Sequence, residues 1–116
     1  MNSRAKGKRG ELELAKVLRG NGFDSHRGQQ FKGSQDSPDV TGIDGIHIEC
    51  KRVERLNLDE AMEQSIRDAG QDTPVVMSRK NGKKWLVTMR LEDFIRIYKE
   101  AKHGTDNSGT GNQING

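Results

Sequence analysis

The chain has 116 residues, of which 23 are Leu, Ile, Val or Phe, which suits one small folded domain with a tail and excludes two. One cysteine, Cys50, excludes an internal disulfide and a multi-cysteine zinc site, and no apolar run is long enough for a membrane-spanning helix. The net charge is only +3, yet residues 1–32 and 79–90 each carry +5 while residues 53–78 carry −4, a distribution suited either to a polyanion-binding face or to a solubilising surface.

The N-terminus, MNSRAKGKRG, lacks the apolar stretch of a signal peptide, so a soluble, cytoplasmic protein is expected. Residues 8–20 read as a helix, because Glu11, Leu14, Ala15 and Leu18 share one face and Gly20-Asn21-Gly22 supplies a stop. Glu11 is out of place in an apolar stripe. Arg4, Lys6, Lys8 and Arg9 crowd the helix start against its macrodipole, so helix stability does not explain them. Phe23 to Arg27 reads as a short strand, and residues 28–38 as a polar loop long enough to carry function. Phe31 lies in that loop with Arg27 and Lys32 nearby, a combination suited to stacking on a nucleic-acid base.

Residues 39–51, DVTGIDGIHIECK, read as a hairpin. A two-residue Asp44-Gly45 turn would put Asp39 and Glu49 on opposite faces. A three-residue loop, Ile43-Asp44-Gly45 with Gly45 left-handed, pairs Asp39 with Glu49, Val40 with Ile48 and Thr41 with His47. Val40, Ile46, Ile48 and Cys50 then share one face, and Asp39, Thr41, His47, Glu49 and Lys51 the other. This register sorts apolar from polar and is preferred. It makes Cys50 a buried structural thiol.

A second helix is expected over residues 57–69, capped by Asn57 with Glu60 as its box partner and stopped by Gly70. Its stripe is Leu58, Ala61, Met62, Ser65, Ile66 and Ala69, flanked by Gln64 and Arg67. Asn81-Gly82 marks a second hairpin between strands at 74–80 and 83–89. A last helix covers residues 91–102, with Leu91, Phe94, Ile95 and Tyr98 on one side. Residues 1–103 form the domain and residues 104–116 a disordered tail. The order is α-β-β-β-α-β-β-α: an α/β fold whose mixed β-sheet is flanked by helices.

The hairpin concentrates the chemistry. Two carboxylates whose Cβ atoms lie about 5 Å apart repel each other, so one should take up a proton at a raised pKa unless a hard divalent cation joins them. Mg²⁺ uses one or two carboxylates with water and substrate phosphate. Lys51 points the same way and suits a water or a developing negative charge beside a phosphodiester. Glu11 offers a third carboxylate. The bland reading is a surface hairpin with a Lys51 salt bridge. His47 reads as a bystander on this face, His26 and His103 as surface residues, and Trp85 and Phe94 as core or dimer contacts.

Pro38-Asp39, nine residues, then Glu49-Cys50-Lys51 resembles the motif of the PD-(D/E)xK nuclease superfamily. With Arg9-Gly10-Glu11 on the preceding helix, Asn21-Gly22-Phe23 at its end and a helix and hairpin behind, residues 4–100 resemble archaeal-type Holliday junction resolvases and their phage relatives. The resemblance implies a restriction-endonuclease-like fold and a homodimer that makes paired symmetric cuts in four-way DNA junctions. It implies Mg²⁺, replaceable by Mn²⁺, held by Asp39, Glu49, the Cys50 carbonyl and Glu11. It also implies a catalytic Lys51 and a loop serine, Ser34 or Ser37, with Ser34 favoured. Arg4, Lys6, Lys8, Arg9, Arg27, Phe31, Lys32 and Arg52 are then candidate DNA contacts, and no membrane is involved. Two rivals stand beside this reading: a nuclease of the same kind acting on flaps, nicks or specific duplex sites, and a non-catalytic DNA-binding protein.

Overall fold

A computed structural model describes residues 3–28 and 38–108, with side chains described for residues 7–28 and 38–104. Phe31, Lys32, Ser34 and Ser37 lie outside the described residues, as do the side chains of Arg4 and Lys6. The first helix, α1, runs from Ser3 to Gly20 with no acidic residue in its first turn. Packing holds it: Leu14 and Ala15 are buried, and Leu18 packs on the same cluster. Its end is a Schellman motif, in which Phe23 N–H donates to Leu18 C=O and Gly22 N–H to Arg19 C=O. Gly22, at φ +95°, takes the left-handed position that this motif needs.

The central sheet has three strands: β1 (Ile46–Arg52), β2 (Thr73–Arg79) and β3 (Leu86–Thr88). β1 pairs with β2 in parallel, and β2 with β3 antiparallel. The helix α2 (Leu58–Asp68) makes the crossover, with the Asn57 side chain accepting from Glu60 N–H at 3.1 Å. The fold is thus a mixed sheet flanked by helices. Two expected strands are corrected to single bridges. Val40 pairs antiparallel with Arg27 on one side and Ile48 on the other. Pro38 has no N–H to extend the pairing backwards, and Gly42, at φ +115°, turns the chain out of the extended state just beyond Thr41. The Val40–Ile48 pairing is the register expected for a three-residue loop, and Gly45 is left-handed at φ +80°.

The second hairpin departs from expectation by one residue. β3 pairs Ser78 with Leu86 and Met77 with Val87, whereas a two-residue Asn81-Gly82 loop would pair Met77 with Leu86. A turn does form there, since Lys83 N–H donates to Lys80 C=O and Gly82 has φ +72°. Asn81 has negative φ, so this is not the primed turn that closes a two-residue loop. The offset decides which side chains face inward: with it, Trp85 and Met89 pack on the core.

The sheet separates two layers. On the α1 side Leu14, Ala15, Val40, Ile48, Cys50, Val75 and Met77 form the main core. On the other side α2 lies close, because it turns the small residues Ala61 and Ser65 to the sheet, with Ala69 buried just beyond its end. The buried Ser65 hydroxyl donates to Val75 C=O at 3.0 Å. The last helix, α3 (Leu91–Ser108), extends past the expected end at residue 102. Leu91, Phe94, Ile95 and Tyr98, the expected apolar side, are exposed in this chain, with the Phe94 and Tyr98 rings stacked at 6.3 Å.

Candidate active site

The site is built where β1 meets the Val40 segment and α1. Asp39 sits just before Val40. Its N–H donates to Ile48 C=O at 2.9 Å, and its Oδ2 accepts from Cys50 N–H at 2.9 Å. The carboxylate is therefore fixed to β1 at both its backbone and its tip. Glu49 comes from the face of β1 covered by α2 and is only 3% exposed. Lys51, two residues on, places Nζ 3.6 Å from Glu49 Oε2. Glu11 reaches in from α1, where Arg27 Nε donates to its Oε1 at 2.7 Å. The structure thus brings Glu11, Asp39, Glu49 and Lys51 into one electrostatic neighbourhood.

The carboxyls behave as a crowded acidic group. Burial, with the Asp39 charge behind it, pushes Glu49 up to about 7. Asp39 is also raised, chiefly by burial, although the Cys50 N–H and the Lys51 charge oppose that. Glu11 is raised by burial and by Asp39, against the pull of Arg27. All three are shifted toward the protonated form. The apo protein should therefore lose stability as pH rises from 5 to 8. In that window the folded state binds more protons than the unfolded one, because Glu49 titrates near 7 in place of its ordinary 4.5. Glu13 has the opposite sign, since hydrogen bonds from Arg79 and Arg52 outweigh its burial and lower it, but its window lies below 4.5. Urea midpoints measured in chelator at pH 5 and pH 8 check this, with a lower midpoint expected at pH 8.

The donor set fits a hard divalent cation. Burial raises both Asp39 and Glu49, the Asp39 charge raises Glu49 further and is felt by Glu11 on α1, and a positive ion bound through oxygen would relieve this. Cys50 places its side chain in the main core, where burial pushes the thiol up and out of the nucleophilic range, so only its backbone is available to the site.

Arg27 and Arg52 hold intramolecular partners. Arg27 is paired with Glu11. Arg52 bonds Glu13 at 3.0 Å and approaches Glu54 at 3.7 Å. Lys8 and Arg9 are exposed on α1. Gln64 and Lys51 line one cleft of about 270 Å³ with Arg55, Asn57 and Glu60. A roomier cleft of about 330 Å³, lined by Val53, Leu56 and Lys80 among others, contains none of the carboxylates.

Three residues escaped the sequence reading. Glu13 ties α1 to the ends of both β1 and β2 by bonding Arg52 and Arg79, partners 39 and 66 positions away that no local pattern reveals. Gly28 donates to Asp39 C=O at 2.8 Å and packs so closely that an added Cβ would lie 2.0 Å from Pro38 O. Asp68, at the end of α2, reaches the Glu49 neighbourhood. His26 and His103 are exposed as expected, with His26 Nε2 2.9 Å from Asp24 Oδ1.

A model of the archaeal Holliday junction resolvase (Hjc) family matches residues 2–102. The fold is similar to a solved Holliday junction resolvase from Archaeoglobus fulgidus, with a TM-score of 0.56 and 24% identity over 70% of this chain and 73% of that one. No curated protein is matched.

Proposed function

The chain belongs to the archaeal Holliday junction resolvase family of PD-(D/E)xK nucleases, a family of junction-resolving endonucleases, and on that premise we propose how its own residues carry the reaction. The observation that carries the reading is the pairing of Asp39 with Glu49 beside Lys51. Asp39 and Glu49, with Glu11 and the Cys50 carbonyl, are the groups that would hold Mg²⁺ or Mn²⁺. When bound, such an ion polarises the scissile phosphate and lowers the pKa of its water. Cys50 N–H and Ile48 C=O hold Asp39 in place. Lys51, anchored by Glu49, directs its ammonium toward the attacking water and toward charge that develops on the phosphate. Arg27 keeps Glu11 oriented toward the site. A serine of the 28–38 loop, Ser34 in preference to Ser37, adds a hydroxyl.

Arg4, Lys6, Lys8, Arg9 and Lys32 supply phosphate contacts, and Phe31 stacks at the branch. Arg27 and Arg52 are engaged by Glu11 and by Glu13 and Glu54, so they contact DNA by exchanging a carboxylate for a phosphate. Two copies acting together make the paired symmetric cuts. The exposed Leu86, Val87, Leu91, Phe94, Ile95 and Tyr98 on β3 and α3 give apolar surface that a second copy can cover, which supports a homodimer. The enzyme's place is the cytoplasm of a bacterial, archaeal or phage-infected host cell. Residues 104–116 stay outside the 1–103 domain as a tail, although α3 continues into its first part, to Ser108.

The test is cleavage of a labelled immobile four-way junction beside a linear duplex of matching sequence, with Mg²⁺ and with chelator. Metal-dependent, symmetric cuts in the junction alone are expected. Equal cutting of both substrates would remove the junction selectivity and leave a nuclease for another DNA structure. Gly28→Ala tests the positioning of Asp39. Its methyl has no room against Pro38, so a shift of the Asp39 segment is expected to lower cleavage on the order of 100-fold. Circular dichroism should stay close to that of the unaltered chain.

A further inference from the structure

We propose that His47, Glu49 and Asp68 form a second divalent-cation site, one that takes a transition ion such as Zn²⁺ in preference to Mg²⁺. In the sequence, the odd-numbered residues of β1 read as a polar face. It lies instead under α2, and His47 is only 2% exposed. The ring's Nε2 is buried without a hydrogen-bond partner among the described residues. A buried polar atom left in that state is uncommon and calls for an explanation. One nitrogen of this ring and one carboxylate oxygen each from Glu49 and Asp68 lie within 4.8 Å of one another. Donors bound at about 2.0–2.2 Å around one tetrahedral ion stand roughly 3.3–3.6 Å apart, so the set closes on binding by at most about 1.5 Å.

Asp68 gives a second, independent indication. It is the last residue of α2, where the helix dipole already presents negative charge. An acid there works against the helix, and α2 has Arg67 beside it as the residue that suits the position. A cation bound by Asp68 reverses that disadvantage. The small residues Ala61, Ser65 and Ala69 let α2 approach β1 closely enough for Asp68 to reach His47 and Glu49.

The donor types set the selectivity. The catalytic carboxylates Asp39, Glu49 and Glu11 offer oxygen alone, which suits Mg²⁺. The α2 side adds an imidazole nitrogen, which suits Zn²⁺, Ni²⁺ or Fe²⁺. Glu49 belongs to both sets and couples them. The second site is thus a buried companion to the catalytic group, filled by a softer ion.

The experiment uses the full ¹⁵N-labelled chain, stripped with chelator, and Zn²⁺ as the probe in the presence of excess Mg²⁺. Imidazole nitrogens of the three histidines are followed by long-range correlation spectra while calorimetry measures affinity. One equivalent of Zn²⁺ is expected to shift the His47 ring and to do so equally in Asp39→Ala. Asp68→Asn should weaken binding at least tenfold, with Mg²⁺-dependent junction cleavage within twofold of the unaltered chain. An unmoved His47 ring, or unchanged affinity in Asp68→Asn, overturns the site. Loss of Zn²⁺ binding in Asp39→Ala also overturns it, because the ion would then sit on the Asp39 side. Normal cleavage by Asp39→Ala would instead remove the catalytic assignment and leave the zinc result standing.

Discussion

Replacing Asp39 with alanine is expected to lower junction cleavage by at least about 1,000-fold, a barrier increase of roughly 4 kcal/mol, while junction binding stays near its original affinity. The change removes one of the two carboxylates that face each other across the Val40–Ile48 pairing. It leaves untouched the basic side chains proposed to contact the DNA backbone. Asp39 also accepts from Cys50 N–H, so alanine strands a partly buried donor and costs about 1–3 kcal/mol of stability. Asp39→Asn separates the two effects. Its amide oxygen can accept the same bond, so stability should return, while cleavage stays as low as in alanine because the negative charge is still missing. Cleavage rates and gel-shift affinities on one junction, with urea midpoints for each variant, check all three statements. Activity in Asp39→Asn close to that of the unaltered chain would show that the residue is a structural pin.

Lys51→Ala is expected to slow cleavage about 100- to 1,000-fold through a lower kcat, with the affinity for Mn²⁺ changed less than fivefold. The ammonium lies 3.6 Å from Glu49 Oε2 and is about a third exposed, so it reaches toward solvent and substrate without being buried in an ion pair. Its removal takes away positive charge where the reaction develops negative charge. It also lets Glu49 rise further, because Lys51 is the main influence holding that carboxyl down. The pH dependence should carry that signature, with the rise in rate moved to higher pH. Lys51→Arg keeps the charge but changes its shape, and only a partial return of rate is expected. Calorimetry with Mn²⁺ distinguishes a kinetic role from an architectural one, since an architectural lysine would take metal affinity with it.

The sequence made the hairpin readable because its two periodicities agree. Val40, Ile48 and Cys50 alternate with Asp39, Glu49 and Lys51, and Gly45 stands where a left-handed residue is needed, so one register satisfies both. The second hairpin was readable only to within a residue. Asn81-Gly82 announces a turn, but the burial of Trp85 and Met89, a tertiary matter, decides the offset. The cover over His47 and Glu49 was not readable from β1. Its signal lay on another element, in the small residues Ala61, Ser65 and Ala69, whose packing distance no linear pattern states. Glu13 is similar, because its meaning lies in Arg52 and Arg79 brought from two different strands. The restriction of the first two strands to single bridges follows from Pro38 and Gly42, both visible in the sequence as interruptions.

Cys50 divides its two halves between separate tasks. Its amide holds a carboxylate and its side chain fills the core, so the interior alone judges which side chain is acceptable there. The position between Glu49 and Lys51 should therefore drift during evolution among compact apolar residues such as valine and alanine, with little effect on the chemistry on either side. A charged or bulky replacement would be eliminated for its effect on folding. The unspecified letter in the motif is thus a constrained one, governed by volume and greasiness, while its two neighbours answer to the substrate.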